Sequence, residues 1–226
     1  MTGVLSVVIP LYRLDECRLR NLSFIYDRLT EEIDQDHLDL IFSIQVSEKD
    51  VHKLRGFRRA RKQYVLISDD KFHKSKLLNY GASCSIGSFI LFLDSDIHFN
   101  FENLYNSIDN EDQIVKPFEY FIKLDEKETE QLINTRKISV QHSQVIEELG
   151  AGAIVVRKDI FQTVKYNEQF VNWGWEDIEY ARRLKQFKLK VINQKSVHLY
   201  HKPVDINMDD YYKNRLLVGN IKEIDK

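Results

Sequence analysis

The chain is poor in cysteine, in net charge and in long apolar runs, and each shortage rules something out. Cys17 and Cys84 are the only cysteines among 226 residues. Two are too few for a disulfide framework, and both read as small buried residues of a protein kept in a reducing cytosol. Thirty-three Lys and Arg against 35 Asp and Glu leave a formal charge of −2, so no global field points to nucleic acid or to an anionic membrane. The apolar stretch from Val4 to Ile9 lacks a basic leader and is far too short to span a bilayer. Membrane contact is therefore expected to be peripheral at most. Repeats, low-complexity tracts and Gly/Ser/Pro linkers are missing as well. With 43% hydrophobic and 30% charged residues, the expectation is one folded unit over 1–226 with a sizeable core.

Hydrophobic patterning predicts an α/β fold whose sheet is mainly parallel. The run Val4–Ile9 reads as a buried strand stopped by Pro10, and Leu19, Leu22, Ile25 and Leu29 follow at helical spacing. Leu38–Val46 and Tyr64–Ile67 are predicted strands. Leu77, Leu78 and Ala82 belong to a helix ending near Gly87. Phe89–Leu93, five apolar residues in a row, suits a central strand buried on both faces. Beyond residue 100 the pattern loosens. Asp125–Arg136 reads as a polar surface helix, Phe118–Phe121 as a half-buried strand, and Gly150–Val156 as a tight turn into a buried strand. Glu176–Phe187 reads as a helix with Ile178, Ala181 and Leu184 on one side. The basic run His52–Lys62 is expected to be a solvated helix face, with an anionic lipid headgroup or a diphosphate as alternative neighbours.

Three clusters carry chemistry. Asp94-Ser95-Asp96 falls at the carboxyl end of the Phe89–Leu93 strand, the edge at which open α/β sheets bind ligands. Two carboxylates one residue apart can hold a divalent cation beside a diphosphate, although such a triplet in a loop is often only solvated. His198 and His201 add imidazole, and imidazole with carboxylate suits a borderline cation such as manganese. On a straight strand residues three apart face opposite ways, so both reach one ion only if the chain bends. One structural and one exposed histidine is the alternative. The most specific cluster is Asn172-Trp173-Gly174-Trp175-Glu176-Asp177. Tryptophan faces stack on sugar rings, Gly174 lets a substrate approach the backbone, and the helix dipole is expected to keep a first-turn carboxylate ionised as a general base.

Taken in order, Phe72-His73-Lys74-Ser75-Lys76-Leu77-Leu78-Asn79-Tyr80-Gly81, Asp94-Ser95-Asp96, Trp173–Asp177 and His198-x-x-His201 resemble the β-1,4-galactosyltransferases and the bacterial chondroitin-polymerase-type transferases. Val7–Arg13 resembles the donor-binding start of GT-A fold glycosyltransferases. The resemblance runs from about Val4 to about Leu216. It implies a Rossmann-like GT-A fold with a nucleotide-binding half (about 1–100) and a smaller acceptor-side, metal-completing half (about 101–226). It also implies a UDP-sugar donor, a carbohydrate acceptor, free or lipid-linked, and Mn2+ or Mg2+ as cofactor. Pro10, Tyr12, Arg13, Gln45, Phe72 and Lys74 would line the uridine and diphosphate pocket. Lys76 and Asn79 would support it, and Asp94 and Ser95 would face the donor. Asp96, His201 and His198 would hold the metal, and Trp173 and Gly174 would border the sugar. Glu176 and Trp175 would lie against the acceptor, with Asp177 as the base of an inverting transfer. The family carries two glycines before the acids where Trp175 takes one place, which alters the pocket. Its vertebrate members often have methionine where His198 stands. By analogy the expected setting is a cytoplasmic bacterial enzyme of capsule or lipopolysaccharide synthesis.

Three other readings compete. A sugar-nucleotide nucleotidyltransferase calls for a glycine-rich phosphate loop, and Pro10-Leu11-Tyr12-Arg13 has no glycine. A non-catalytic carbohydrate-binding relative could dispense with Asp177. A hydrolytic zinc site would need the helical His-Glu-x-x-His pattern, which is missing.

Overall fold

The computed structural model describes residues 3–45, 51–67, 69–137, 144–146, 151–203 and 206–219. In chain order the elements are β1 (Leu5–Leu11), α1 (Glu16–Glu32), β2 (Leu38–Gln45), a 3-10 turn (Val51–Leu54), β3 (Arg61–Val65), α2 (Lys74–Ser83) and β4 (Phe89–Leu93). Then follow β5 (Ile97–His98), α3 (Phe101–Ser107), β6 (Ile114–Lys116), β7 (Tyr120–Lys123), α4 (Glu126–Thr135), β8 (Gln144–Ile146) and β9 (Ala153–Arg157). The chain closes with α5 (Lys158–Thr163), α6 (Glu176–Leu184), β10 (Leu189–Val191), β11 (Lys195–His198) and α7 (Met208–Leu217).

Among the described residues these strands form a seven-stranded sheet in the order β10-β6-β9-β4-β1-β2-β3 and a four-stranded sheet in the order β5-β11-β7-β8. In the larger sheet β9 runs antiparallel to both β4 and β6, and the other pairings are parallel. Two-residue periodicity splits the sheet's side chains between two cores. Val7, Ile9, Leu91 and Leu93 enter one with Leu22, Ile25 and Leu29 of α1; Val8, Ile90 and Phe92 enter the other with Leu78, Ala82, Tyr180 and Leu184 of α2 and α6. Close approach of α2 to the sheet depends on Gly81, where a Cβ would meet Val8 Cγ1 at 2.5 Å. That contact fixes the height at which the first turn of α2, carrying Lys74, stands above the strand ends.

Several expectations need correction. The third strand begins at Arg61 and ends at Val65, leaving Leu66 exposed. As an edge strand it accepts charged residues on its open side. The basic run is no helix: after the 3-10 turn, Arg59 donates to Thr30 O, Arg61 pairs with the buried Asp39, and Lys62 donates to Phe57 O. Arg59 thus ties its loop to α1, Arg61 ties β3 to β2, and Lys62 ties β3 to the loop before it. Helix α2 stops at Ser83, four residues before Gly87, and α6 stops at Leu184, three before Phe187. The buried face of α6 is Glu176, Tyr180, Ala181 and Leu184, with Ile178 at its margin. Cys17 and Cys84 are free thiols and only half-buried. The strand foreseen after Gly150 runs over Ala153–Arg157, and Val46 and Gly150 lie outside the described residues.

Candidate functional site

Strand β4 delivers Asp94, Ser95 and Asp96 to the carboxyl edge of the sheet, and the chain then turns into β5. Antiparallel pairing of β5 with β11 sets His198 opposite Ile97, so one acid and one imidazole are brought together by strand register. β11 ends at His198, and Leu199 N donates to Asp96 O at 2.8 Å. Past the strand end the chain bends, held by two clamps on Tyr200. Asn21 of α1 donates to its carbonyl at 3.0 Å, and its N–H donates to Thr129 Oγ1 of α4 at 2.8 Å. The bend returns His201 to the side of His198. His201 Nε2 lies 3.4 Å and His198 Nε2 4.0 Å from Asp96 Oδ2, and one ligand atom from each of the three lies within 4.8 Å of the others. A carbonyl can only accept, so the 2.8 Å contact between His201 Nδ1 and Lys202 O puts the proton on Nδ1. The lone pair of the neutral ring then sits on Nε2, facing Asp96, as a metal ligand requires. One carboxylate and two imidazoles fit a borderline divalent cation.

A second cluster surrounds Lys74 in the first turn of α2. Its Nζ lies 3.1 Å from Asp94 Oδ1, from Glu176 Oε1 and from Asp177 Oδ2. Burial works against the Lys74 ammonium, yet Asp177, Asp94 and Glu176 together hold it well above the ordinary lysine value. Asp94 is raised, first by burial and then by Asp96, against the lowering pull of Lys74. Burial also pushes Asp177 up to about 8; Lys74 pulls it down, and Glu176 and Asp94 raise it further. One cation among three carboxylates cannot neutralise them all, so retaining a proton on an acid is favourable. The expectation that the helix dipole would leave Asp177 an ordinary ionised carboxylate is therefore corrected. Its position is as foreseen, but desolvation outweighs the dipole.

The loop after β1 meets the loop that leads into Lys74 and α2. Pro10 is buried in β1, paired with Ser43 of β2. Tyr12 stacks on Phe72 with ring centroids 5.1 Å apart and planes within 9°. Its hydroxyl donates to Asp70 O, and the Arg13 guanidinium lies 4.9 Å over its ring. Arg13 itself adopts φ 47, a left-handed conformation just after β1. Gln45 braces the same loop, donating to Lys71 O at 2.6 Å and accepting from His73 N at 3.0 Å. Lys76 is half-buried and helps to lower Asp69, whose main partner is the His73 ring. Asn79 is committed elsewhere: its amide joins Tyr166 N, Tyr166 O and Glu168.

Trp173 is 53% exposed beside this edge. Trp175, at φ 77, turns towards α7, with its ring 5.6 Å from Tyr211 and beneath Arg215. Gly174 has φ 101, and a Cβ there would come within 3.3 Å of the Tyr211 ring. The left-handed φ is what favours glycine here, and the Tyr211 ring adds a close neighbour. Residues of α7 were missed by sequence reasoning. Buried Asp210 pairs with Lys71 at 2.8 Å and accepts from Asn172, while Asn214 accepts from Val171 N and donates to the Val171 and Gly174 carbonyls. The buried positions of α7 are polar, so no apolar stripe marks its packed face.

The model of the family described as glycosyltransferase like family 2 matches residues 6–223. No curated protein matches by sequence. Among solved structures, residues 1–349 of S. aureus TarS in complex with UDP-GlcNAc superpose with a TM-score of 0.63 at 14% identity, covering 95% of this chain and 65% of that one. Glucosyl-3-phosphoglycerate synthase from Mycobacterium tuberculosis, bound to Mn2+, UDP and its product, gives 0.61 at 14% identity over 96% and 78%. A mutant of Drosophila β-1,4-galactosyltransferase 7 with manganese, UDP-Gal and xylobiose gives 0.55 at 13% over 93% and 79%. The chain thus spans slightly less than two thirds of the TarS fragment's length, and at these identities the likeness establishes a shared fold, the GT-A fold. Among the described residues no helix is long and apolar enough to cross a membrane. A family match over nearly the whole length, on that fold, identifies the chain as a member of glycosyltransferase-like family 2.

Proposed function

We propose that the protein is a metal-dependent, inverting glycosyltransferase. It would move a hexose or N-acetylhexosamine, galactose or N-acetylgalactosamine above all, from a UDP-sugar to a carbohydrate hydroxyl in bacterial surface polysaccharide synthesis. The observation that carries this reading is the convergence of Asp96, His198 and His201 at the carboxyl end of β4, within 4.8 Å of one another and beside the Asp94–Asp177 cluster. Structures of similar fold bind UDP, UDP-sugars and Mn2+, and the resemblance noted from the sequence supports the choice of sugar, the inversion and the biological setting.

Asp96, His198 and His201 would hold the cation, and two nitrogen ligands in three favour manganese over magnesium. When bound, the cation neutralises the diphosphate and stabilises charge on the leaving UDP. Pro10, Tyr12, Arg13, Gln45 and Phe72 would line the uridine and diphosphate pocket, with Lys76 and Asn79 as outer support, and Ser95 would face the donor beside Asp94. Asp94 contacts the donor sugar, and the exposed Trp173 beside Gly174 offers a ring face to it. Glu176 and Trp175 border the acceptor. Asp177 removes the acceptor hydroxyl's proton as its oxygen bonds to the anomeric carbon and the bond to UDP breaks, which inverts that centre. UDP release measured over a panel of UDP-sugars with a mixed oligosaccharide acceptor should show manganese-stimulated turnover with one donor. Absence of turnover with every donor would remove the proposal.

A further inference from the structure

We propose that Lys74 is a positioning residue. Its ammonium holds the Asp177 carboxylate for proton transfer and ties it to the donor-side acid Asp94, instead of gripping the donor's diphosphate. The role rests on the transfer reaction proposed above.

An ammonium has three N–H donors, and Lys74 has three carboxylates at 3.1 Å: Asp94 from the end of β4, and Glu176 and Asp177 from the first turn of α6. Hydrogen bonds run to Asp94 and Asp177 and Glu176 adds a close ion pair, so a phosphate oxygen would have to compete with three carboxylates for the ammonium. The side chain is 12% exposed, whereas Asp177 keeps 21% and Asp94 31%. The lysine is therefore set behind Asp94 and Asp177, which face the open side, while Glu176, 9% exposed, lies as deep as the lysine. Its own position is rigid, because α2 packs on β1 and β2 through Gly81. The groups facing Asp177 are Lys74 from α2, Asp94 from β4, Tyr166 from the segment between α5 and α6, and Glu176 on its own helix. Of these, Lys74 is the cation. Without it three carboxylates would crowd one another, and the first turn of α6 would lose its tie to the sheet. The lowering pull of Lys74 on Asp177 agrees in direction with this role.

The test compares Lys74→Met with the native protein. A positioning role predicts kcat lower by about 10–100-fold, as for a misplaced catalytic group, with UDP affinity in the presence of Mn2+ changed less than threefold. It also predicts that the acid limb of kcat/KM moves up by about one pH unit or more, as loss of an opposite charge requires. Lys74→Arg should return the limb most of the way. Should the Met variant not fold, Lys74→Gln removes the charge and carries the same expectations. A tenfold loss of UDP affinity with an unmoved limb would overturn the proposal in favour of a diphosphate grip. A readout independent of turnover is the 13C titration of the Asp177 carboxyl in the ligand-free protein. An upward move of its midpoint in the variant supports the positioning role even if no UDP-sugar proves to be a donor, and an unmoved midpoint overturns it.

Discussion

The site contains two clusters built from the same strand end by different means. Asp96 meets His198 and His201 through the main chain: a β5–β11 ladder, a hydrogen bond from Leu199 to Asp96, and clamps from Asn21 and Thr129 on Tyr200. Asp94 meets Glu176 and Asp177 through one ammonium. Both joins bridge 80 or more positions of sequence. The first is held by neutral hydrogen bonds and strand pairing, so its geometry should persist across pH and survive loss of the Asp96 carboxylate. The second is electrostatic, and its state changes with protonation and with a single substitution.

The sharpest way to break the comparison is at Asp96. Asp96→Ala should reduce manganese-stimulated UDP release to background while the circular dichroism spectrum stays native, because the main chain holds both histidines in place. Next comes Asp177→Asn, expected to lower kcat by about 10²–10⁴ with UDP binding largely kept, since a base acts only in the transition state. Near-normal kcat would remove Asp177 from that role. The pH profile separates the clusters further. Burial raises Asp177 to about 8, so the basic form is lost as pH falls. In the free enzyme kcat/KM should therefore climb about tenfold per pH unit up to about 8 and level above it, and a profile flat from pH 6 to 9 would contradict this. Asn21→Ala probes the clamp: Mn2+ affinity should fall by about tenfold, as for loss of an outer support of a ligand, with the pH profile unmoved. The last substitution, Gly81→Ala, is read in stability. Its methyl would press on Val8 and cost about 1–3 kcal/mol, read as a Tm lower by several degrees.

How far the sequence anticipated this depends on the kind of signal each part leaves. Strand β4 and its acidic end were legible because five consecutive apolar residues followed by Asp94-Ser95-Asp96 have few other readings. The bend between His198 and His201 was required by strand geometry, and the structure supplies it. The antiparallel β9 between β4 and β6 was not legible, since an apolar run says nothing about direction. The helical period of α6 runs on to Phe187, although the helix ends at Leu184. The protonation of Asp177 was not legible for a more basic reason: a first-turn position is visible in sequence, whereas the burial that raises its carboxyl is not. The packed face of α7, built on Asp210 and Asn214, looks like a solvated surface until its partners are known.

The central claim is that Asp96, His198 and His201 close around one divalent cation beside the donor. Anomalous diffraction at the manganese edge, from crystals grown with MnCl2 and UDP, tests it directly. The account predicts a single strong peak within bonding distance of Asp96, His198 Nε2 and His201 Nε2, next to the diphosphate. A peak lacking either imidazole, or none beside a bound nucleotide, would contradict it.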